Sequence, residues 1–338
     1  MKILITGGAG FIGSNFIRYI LSKYSDYHIV NLDKLTYAGN LDNLSDVEDH
    51  PNYQFVKGDI CDIDLVNRIV KDGIQAMVHF AAESHVDRSI YDPAIFVKTN
   101  VLGTQILLES ALKFKIDRFI QVSTDEVYGS MGKEGSFTES SPLLPNSPYS
   151  ASKASADLLV RSYFETFRLP ATITRCTNNY GPYQFPEKLI PFFITNALQD
   201  LPLPVYGDGL YVREWIYVED HCKALDAVLH QGKVGEIYNI GGGNERTNLE
   251  ITDLILRKLS KPKSLVKHVK DRPAHDRRYS LDFSKIRADL DWKPDTPFEE
   301  GISKTADWYV THQSWWQKIK TGEYLKYYEK HYLRRESS

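Results

Sequence analysis

Cysteine is scarce: Cys61, Cys176 and Cys222 are the only three in 338 residues. They lie far apart, form no C-x-x-C pair and cannot all pair with one another, which excludes a disulfide scaffold and fits a reducing compartment. Long hydrophobic runs are also missing. The chain opens with Met1-Lys-Ile-Leu-Ile-Thr-Gly7, a strand pattern too short for a signal peptide or membrane span, so a cytoplasmic location is expected by default. Charge of one sign is not in excess, because 41 Lys and Arg face 44 Asp and Glu for a net charge of -3. Nothing general therefore draws nucleic acid or an anionic membrane, and any basic site must be local. There is no internal repeat and no low-complexity tract. What remains is ordinary for a soluble globular chain, 42% hydrophobic and 25% charged, long enough for two domains or one extended α/β unit.

The stretch from Arg118 to Lys153 carries the densest chemistry. Arg118-Phe-Ile-Gln-Val-Ser-Thr124 reads as a buried strand, and it ends in Thr124-Asp125-Glu126. Adjacent carboxylates at a strand's carboxyl end stand where ligands bind in open α/β sheets, placed to share acid and base work on one substrate. Tyr149-Ser-Ala-Ser-Lys153 opens a helix, and spacing four puts phenol and ammonium one turn apart on one face. A cation there is expected to favour the phenolate, which can take a proton from an alcohol. The bland alternative for the acid pair is a helix-capping Asp beside a solvated Glu.

The same logic places a nucleotide at the amino end. Ile3-Leu-Ile-Thr6 is a short apolar strand leading into Gly7-Gly8-Ala9-Gly10-Phe11-Ile12-Gly13, which is G-x-G-x-x-G from Gly8 and G-x-x-G-x-x-G from Gly7. Glycines permit the tight turn and close approach to a pyrophosphate seated on the amino end of a helix from Phe11 to about Tyr24. A second strand, His28 to Asp33, ends in an acid twenty residues after Gly13. Such an acid accepts hydrogen bonds from an adenosine ribose and repels a 2'-phosphate, favouring NAD over NADP. Glycines serving only helix packing are the alternative. Tyr53 to Asp59 reads as the third strand, with Asp59 and Ile60 near an adenine ring or Asp59 capping the next helix. Ala76 to Ala82 is the fourth, apolar on both faces, and His85 in the loop after it reads as structural.

Helical patterns run from about Ala94 to Lys115 and from Tyr149 to Arg168. Each is apolar on more than one side, through Val97, Val101, Ile106 and Leu107 in the first and Leu158, Leu159, Tyr163, Phe164 and Phe167 in the second. Each therefore has two neighbours, the sheet and either a second subunit or a covering segment of this chain. The alternation through Thr174 predicts an α/β fold, a Rossmann-type doubly wound parallel sheet. Prolines 182, 186, 191, 202 and 204 then break the rhythm, with short strands at Glu214 to Val218 and Glu236 to Ile240. The expected division is a nucleotide-binding domain over 1–177 with the catalytic residues and a smaller, irregular substrate domain over 178–338, some segments returning to the first. The aromatic tail, with Trp308, Trp315, Trp316, Tyr324, Tyr327 and Tyr328, is expected to pack as helices, and residues 334 to 338 to fray.

The glycine loop, Asp33 and Tyr149-x-x-x-Lys153 together resemble the extended short-chain dehydrogenase/reductase family. Lys34-Leu-Thr-Tyr-Ala-Gly-Asn-Leu41, Ala82 to Ser89, Ser123-Thr-Asp-Glu-Val-Tyr-Gly129, Asn178-Asn-Tyr-Gly-Pro182 and Asp271 to Tyr279 narrow the resemblance to its nucleotide-sugar 4,6-dehydratases. It covers Met1 to about Tyr332, departing mainly at Arg246 to Asn248 and Ser130 to Phe137. Asp125-Glu126 is its specific mark: sugar-nucleotide epimerases and decarboxylases lack the pair, and dehydratases of UDP-N-acetylglucosamine often carry lysine at the second position.

The resemblance implies tightly held NAD and dTDP-glucose as substrate. Tyr149 takes the 4-hydroxyl proton, Lys153 holds the nicotinamide ribose and keeps the phenol acidic, Glu126 removes the C5 proton, protonated Asp125 protonates the departing 6-hydroxyl, and Thr124 bonds the C4 oxygen. Besides Gly7, Gly10, Gly13, Tyr149 and Lys153, NAD contacts fall on Phe11, Ile12, Asp33, Lys34, Leu35, Thr36, Asp59, Ile60, Phe80, Ala81, Ala82, Glu83, Ser84, Thr99 and Asn179. Substrate contacts fall on Ser84, Thr124, Asn178, Lys188, Leu189, Pro204, Val205, Tyr206, Arg213, Asn248, Asp271, Arg272, Pro273, Ala274 and His275. Lys188, Arg213 and Arg272 would give the local positive site a pyrophosphate needs, and Tyr206 beside Pro204 and Val205 suits stacking on a base. A homodimer through a four-helix bundle is implied as well. Two other readings stay open: an epimerase or decarboxylase of another sugar nucleotide, and a nucleotide-sensing protein without catalysis.

Overall fold

A computed structural model of the protein describes residues 1–271 and 276–321. Seven parallel strands form the main sheet in the order β10-β6-β5-β4-β1-β2-β3. These are β1 (Lys2–Thr6), β2 (His28–Asp33), β3 (Tyr53–Lys57), β4 (Ala76–His79), β5 (Arg118–Thr124), β6 (Ala171–Cys176) and β10 (Ile237–Ile240). The order reverses between β1 and β4, which opens a crevice at the carboxyl ends of both strands. β10 pairs with β6 although more than sixty residues separate them in the chain.

Pleat alternation decides which helices cover which face. Ile3 and Ile5 of β1 pack with Phe16, Ile17 and Ile20 of α1 (Phe11–Lys23) and with Ala224, Leu225 and Val228 of α8 (Val218–Gln231). Leu4, between them, faces the other way, toward α2 (Ile63–Lys71), α5 (Gly103–Phe114) and α6 (Pro148–Phe167) through Val66, Leu107 and Val160. Each such fully buried aliphatic side chain contributes about 1.5–3 kcal/mol. Strands buried on both faces explain why Ala76, Met77 and Val78 of β4 follow one another with no polar residue between them.

Two further short helices, α3 (Val86–Tyr91) and α4 (Pro93–Phe96), lead from β4 toward α5. The helix expected from Ala94 to Lys115 is one rod with a π-helical stretch over Val97–Leu102. There the buried Asn100 accepts from Glu83 N at 2.9 Å and donates to Glu83 O at 3.0 Å and Ser152 Oγ at 2.8 Å. The widened turn thus ties the exit loop of β4 to α6. Such inserted turns recur at functional sites, and apolar periodicity did not reveal this one.

The second unit holds the remaining elements. β7 (Asn178–Tyr180) pairs parallel with β9 (Val212–Tyr217), which pairs antiparallel with β11 (Glu245–Thr247). β8 (Leu203–Tyr206) pairs with β12 (Val266–Val269). Helices α7 (Leu189–Leu198), α9 (Asn248–Lys258), α11 (Phe298–Thr311) and α12 (Gln313–Ile319) enclose a core with Phe192, Trp215, Ile255, Phe298 and Trp316. Between them α10 (Ser284–Leu290) returns to the main sheet beside β10. No helix among the described residues is long and apolar enough to cross a membrane.

Candidate active site

At the switch point the backbone itself makes a cradle. Gly7 has φ +73, and a Cβ there would lie 2.6 Å from Ala81 N; one on Gly13 would lie 2.5 Å from Gly7 O. Both would close the approach. No side chain caps the first turn of α1 and no acid stands in it, so its orphan N–H groups are left to an anion. Asp33, at the end of β2, receives Ala9 N at 2.9 Å and Leu35 N at 2.8 Å. Lys34 pairs with Asp59 at 2.8 Å. Asp62, not Asp59, caps α2 by accepting from Leu65 N, which removes the capping role that the sequence allowed Asp59.

The second half of the site comes from β5 and α6. Ser147 and Ser150 form a reciprocal capping box around Pro148, so α6 starts one residue before Tyr149 and aims Tyr149 and Lys153 together at the sheet edge. Thr124 closes β5, accepts from Glu126 N at 3.3 Å and donates to Asp125 Oδ1 at 3.1 Å. The local cap is therefore Thr124, and Asp125 is free of capping duty. Asp125 is 1% exposed, and its Oδ2 meets no donor among the described residues. Burial first, then the charges of Glu126 and Glu214, push its pKa well above the ordinary carboxylate range.

One expectation is corrected. Lys153 Nζ donates to Val122 O at 2.7 Å, and the phenol of Tyr149 is not acidified in this arrangement. Burial, followed by the charges of Glu126, Cys176 and Asp125, raises its pKa well above 10. The sequence argument counted the lysine one turn away but not the desolvation or the two carboxylates that oppose it.

A single cavity of about 440 Å³ joins both halves. It is lined by Gly7, Gly10, Phe11, Ile12, Gly13, Asp33, Lys34, Thr36, Asp59, Ile60, Phe80 to Ser84, Thr99, Thr124, Glu126, Tyr149 and Lys153 on the main-sheet side, and by Asn178 and Asn179 of β7. Lys188, Leu189, Pro204, Val205, Tyr206, Arg213 and Asn248 line it from the second unit. Leu35, Asp125 and Asp271 are not on its surface. Arg272, Pro273, Ala274 and His275, like Tyr324, Tyr327 and Tyr328, lie outside the described residues.

Sequence reasoning missed several lining residues. Tyr37 meets Phe185 edge-on with ring centroids 5.6 Å apart, and the Arg88 guanidinium lies 3.8 Å from the Tyr37 ring centroid. Arg88 also pairs with Glu187 at 3.3 Å. Tyr279 lines the wall beside Arg213, whose guanidinium is 4.5 Å from its ring centroid. His85, taken as structural, is 6% exposed, lines the cavity and stands 4.0 Å from Glu187. Only the spatial closure of three loops brings these residues together, and no local spacing announces it.

An uncapped helix end, glycines where a Cβ would intrude and a carboxylate at the end of β2 fit a dinucleotide. With a tyrosine and lysine one turn apart over the same cavity, they define an extended short-chain dehydrogenase/reductase. Comparison with known proteins narrows this. The family model for GDP-mannose 4,6 dehydratase matches residues 4–305. A dTDP-glucose 4,6-dehydratase of Streptomyces niveus is 52% identical over 327 residues, 96% of this chain and 97% of that protein. The low-salt glycan biosynthesis protein Agl12 of Haloferax volcanii is 57% identical over 310 residues, 92% and 99% of the two chains. The crystal structure of DesIV, a dTDP-glucose 4,6-dehydratase from Streptomyces venezuelae with NAD bound, matches with a TM-score of 0.92 at 52% identity, covering 95% and 100%. The chain belongs to the nucleotide-sugar 4,6-dehydratases of this family, on the dTDP-glucose 4,6-dehydratase branch.

Proposed function

We propose that this chain is an NAD-dependent hydro-lyase that converts dTDP-glucose to dTDP-4-keto-6-deoxy-glucose and water. The observation that carries it is the split acid pair: Glu126 lines the cavity with Tyr149, while Asp125 lies buried behind it with a raised pKa. Two carboxyl groups whose surroundings push them apart are suited to opposite roles, base and acid.

The glycine loop and Asp33 would hold NAD, which would supply the hydride acceptor for C4 of the sugar and the hydride donor for C6. The chain's own residues move the protons. Tyr149 accepts the 4-hydroxyl proton as phenolate, a form that the positive charge of bound NAD would favour against the burial and carboxylates that oppose it, and Thr124 hydrogen-bonds the C4 oxygen as charge develops there. Lys153 holds the ribose hydroxyls. The 4-ketone acidifies C5–H, Glu126 removes that proton, and protonated Asp125, hydrogen-bonded to the cavity-lining Thr124, gives its proton by way of that hydroxyl to the 6-hydroxyl, which leaves as water. Glu126 then returns a proton to C5. Lys188 and Arg213 would meet the pyrophosphate, and Pro204, Val205 and Tyr206 the base.

The division of labour is nucleotide cofactor and chemistry over 1–177, sugar nucleotide mainly over 178–338. The assembly is a homodimer. Val97, Leu102, Leu158 and Phe167, between 47% and 57% exposed, give the π stretch and α6 an apolar outer face suited to a four-helix bundle. The product serves deoxysugar synthesis in the cytoplasm.

The decisive experiment incubates purified protein with dTDP-glucose and no added cofactor, following the alkali-dependent absorbance of a 4-keto-6-deoxy sugar and the product mass. Turnover with loss of one water is the expected result. An isomer of unchanged mass would move the assignment to an epimerase. No reaction even with added NAD would favour a nucleotide-sensing protein.

A further inference from the structure

Behind the cavity, one buried arginine joins the two elements that carry the chemistry. Arg175 on β6 is 3% exposed and pairs across the sheet with Ser123 on one side and Asn239 on the other. Its Nε donates to Asp157 Oδ2 at 2.9 Å, and its Nη1 donates to the Tyr128 hydroxyl at 2.9 Å. Tyr128 in turn donates to Asn239 Oδ1 at 2.8 Å. Asp157 lies one turn beyond Lys153 on α6. Tyr128 is the last residue of the 3-10 turn that begins with Asp125 and Glu126.

The network is buried. Asp157 and Tyr128 are 1% exposed and Asn239 is fully buried. Asn239 is itself fixed by Glu139, which accepts from its N–H at 2.9 Å, and by Phe137 O at 3.0 Å. A buried guanidinium is costly unless it is paired and hydrogen-bonded; Arg175 meets a carboxylate and a hydroxyl in fixed directions, although Asp157 Oδ1 finds no hydrogen-bond partner among the described residues. The planar fork of arginine reaches two partners in fixed directions, which a lysine cannot do. None of these groups lines the cavity.

We propose that Arg175 is a positioning residue for the elimination step, fixing the turn that bears Asp125 and Glu126 against the helix that bears Tyr149 and Lys153. The inference rests on the dehydratase function proposed above. Oxidation at C4 depends on Tyr149 and Lys153, whereas water loss also needs both carboxyls at the right height over C5 and C6. Small displacements cost rate steeply when reacting atoms must be aligned. Loosening the turn from Arg175 should therefore slow elimination and leave oxidation in place.

The test is Tyr128→Phe, which removes one oxygen while the ring stays stacked on Phe137, 5.0 Å between centroids. Losing the two hydrogen bonds of that hydroxyl, from Arg175 and to Asn239, predicts water release at least about tenfold slower. KM for dTDP-glucose should hold, and reduced-nicotinamide absorbance should build up during turnover, as oxidation outpaces elimination. A purely structural role would lower all rates together without that build-up. Wild-type kinetics, or slowed turnover with no build-up, would overturn the proposal. Should Tyr128→Phe not fold, Arg175→Lys gives the same reading, since lysine keeps the charge and reaches one partner only. If the dehydratase function itself were wrong, the wild-type protein would release no water, so the two failures are distinguishable.

Discussion

Asp125 and Glu126 are adjacent in the chain, yet Glu126 faces the cavity while Asp125 is sealed behind it, 1% exposed and hydrogen-bonded to Thr124. The turn after β5 produces this split by rotating successive side chains to opposite sides. Burial of this kind favours the protonated carboxyl.

The burial of Asp125 makes a signed prediction for stability. Between the ordinary value of 3.8 and its raised pKa, the folded protein keeps a proton that the unfolded chain releases, so stability falls as pH rises through that window. Asp125→Asn removes this penalty. Its melting temperature should match wild type at low pH and exceed it increasingly toward neutral pH, while water release drops about 10²–10⁴-fold. Thermal scans across pH check the sign, and a difference that stays flat would count against a protonated Asp125.

Glu126→Gln should separate the two half-reactions. Loss of the base stops C5 deprotonation, with water release down about 10²–10⁴-fold. Oxidation at C4 should persist, seen as reduced-nicotinamide absorbance that rises once after mixing and does not decay. An epimerase would tolerate the change with nearly full activity.

Gly13→Ala tests the cradle. Alanine is normally the better helix former by about 1 kcal/mol, but here its Cβ would come within 2.5 Å of Gly7 O. Overpacking of about 1–3 kcal/mol wins. The variant should be less stable and retain little NAD on purification, measured by release of nucleotide from the denatured protein.

The apolar outer face of α6 is open to a simple challenge. Leu158→Lys combined with Phe167→Lys places two charges on residues that are 57% and 52% exposed. A monomer should result at micromolar concentration in sedimentation, with little change in secondary structure. A wild-type protein already monomeric there would remove the basis for the assembly.

Much of the frame was legible from Ile3 to Thr174 because buried parallel strands are apolar on both faces and each is followed by a periodic helix. Asp33 and the glycine loop could be read because their roles depend on local spacing. Arg175 could not. In Thr174-Arg175-Cys176 it is one polar residue at the end of an apolar strand, and its partners Tyr128, Asp157 and Asn239 come from three separate elements. The raised pKa of Tyr149 was hidden for the same reason: desolvation belongs to the assembled site. The helix over residues 93–114 was visible, but its π stretch was not, since one inserted residue barely shifts the apolar pattern.

The seventh strand bears on how the protein is made. A ribosome delivers β1 to β6 well before β10, and until Ile237–Ile240 emerges the β6 edge offers unpaired N–H and C=O groups. The main sheet is thus left unfinished through the synthesis of the segment that supplies Lys188, Pro204 and Arg213 to the cavity. A gene cut after residue 177 should yield aggregates rather than a smaller soluble enzyme, and chaperones would be expected to meet this chain at its open edge while translation is still under way.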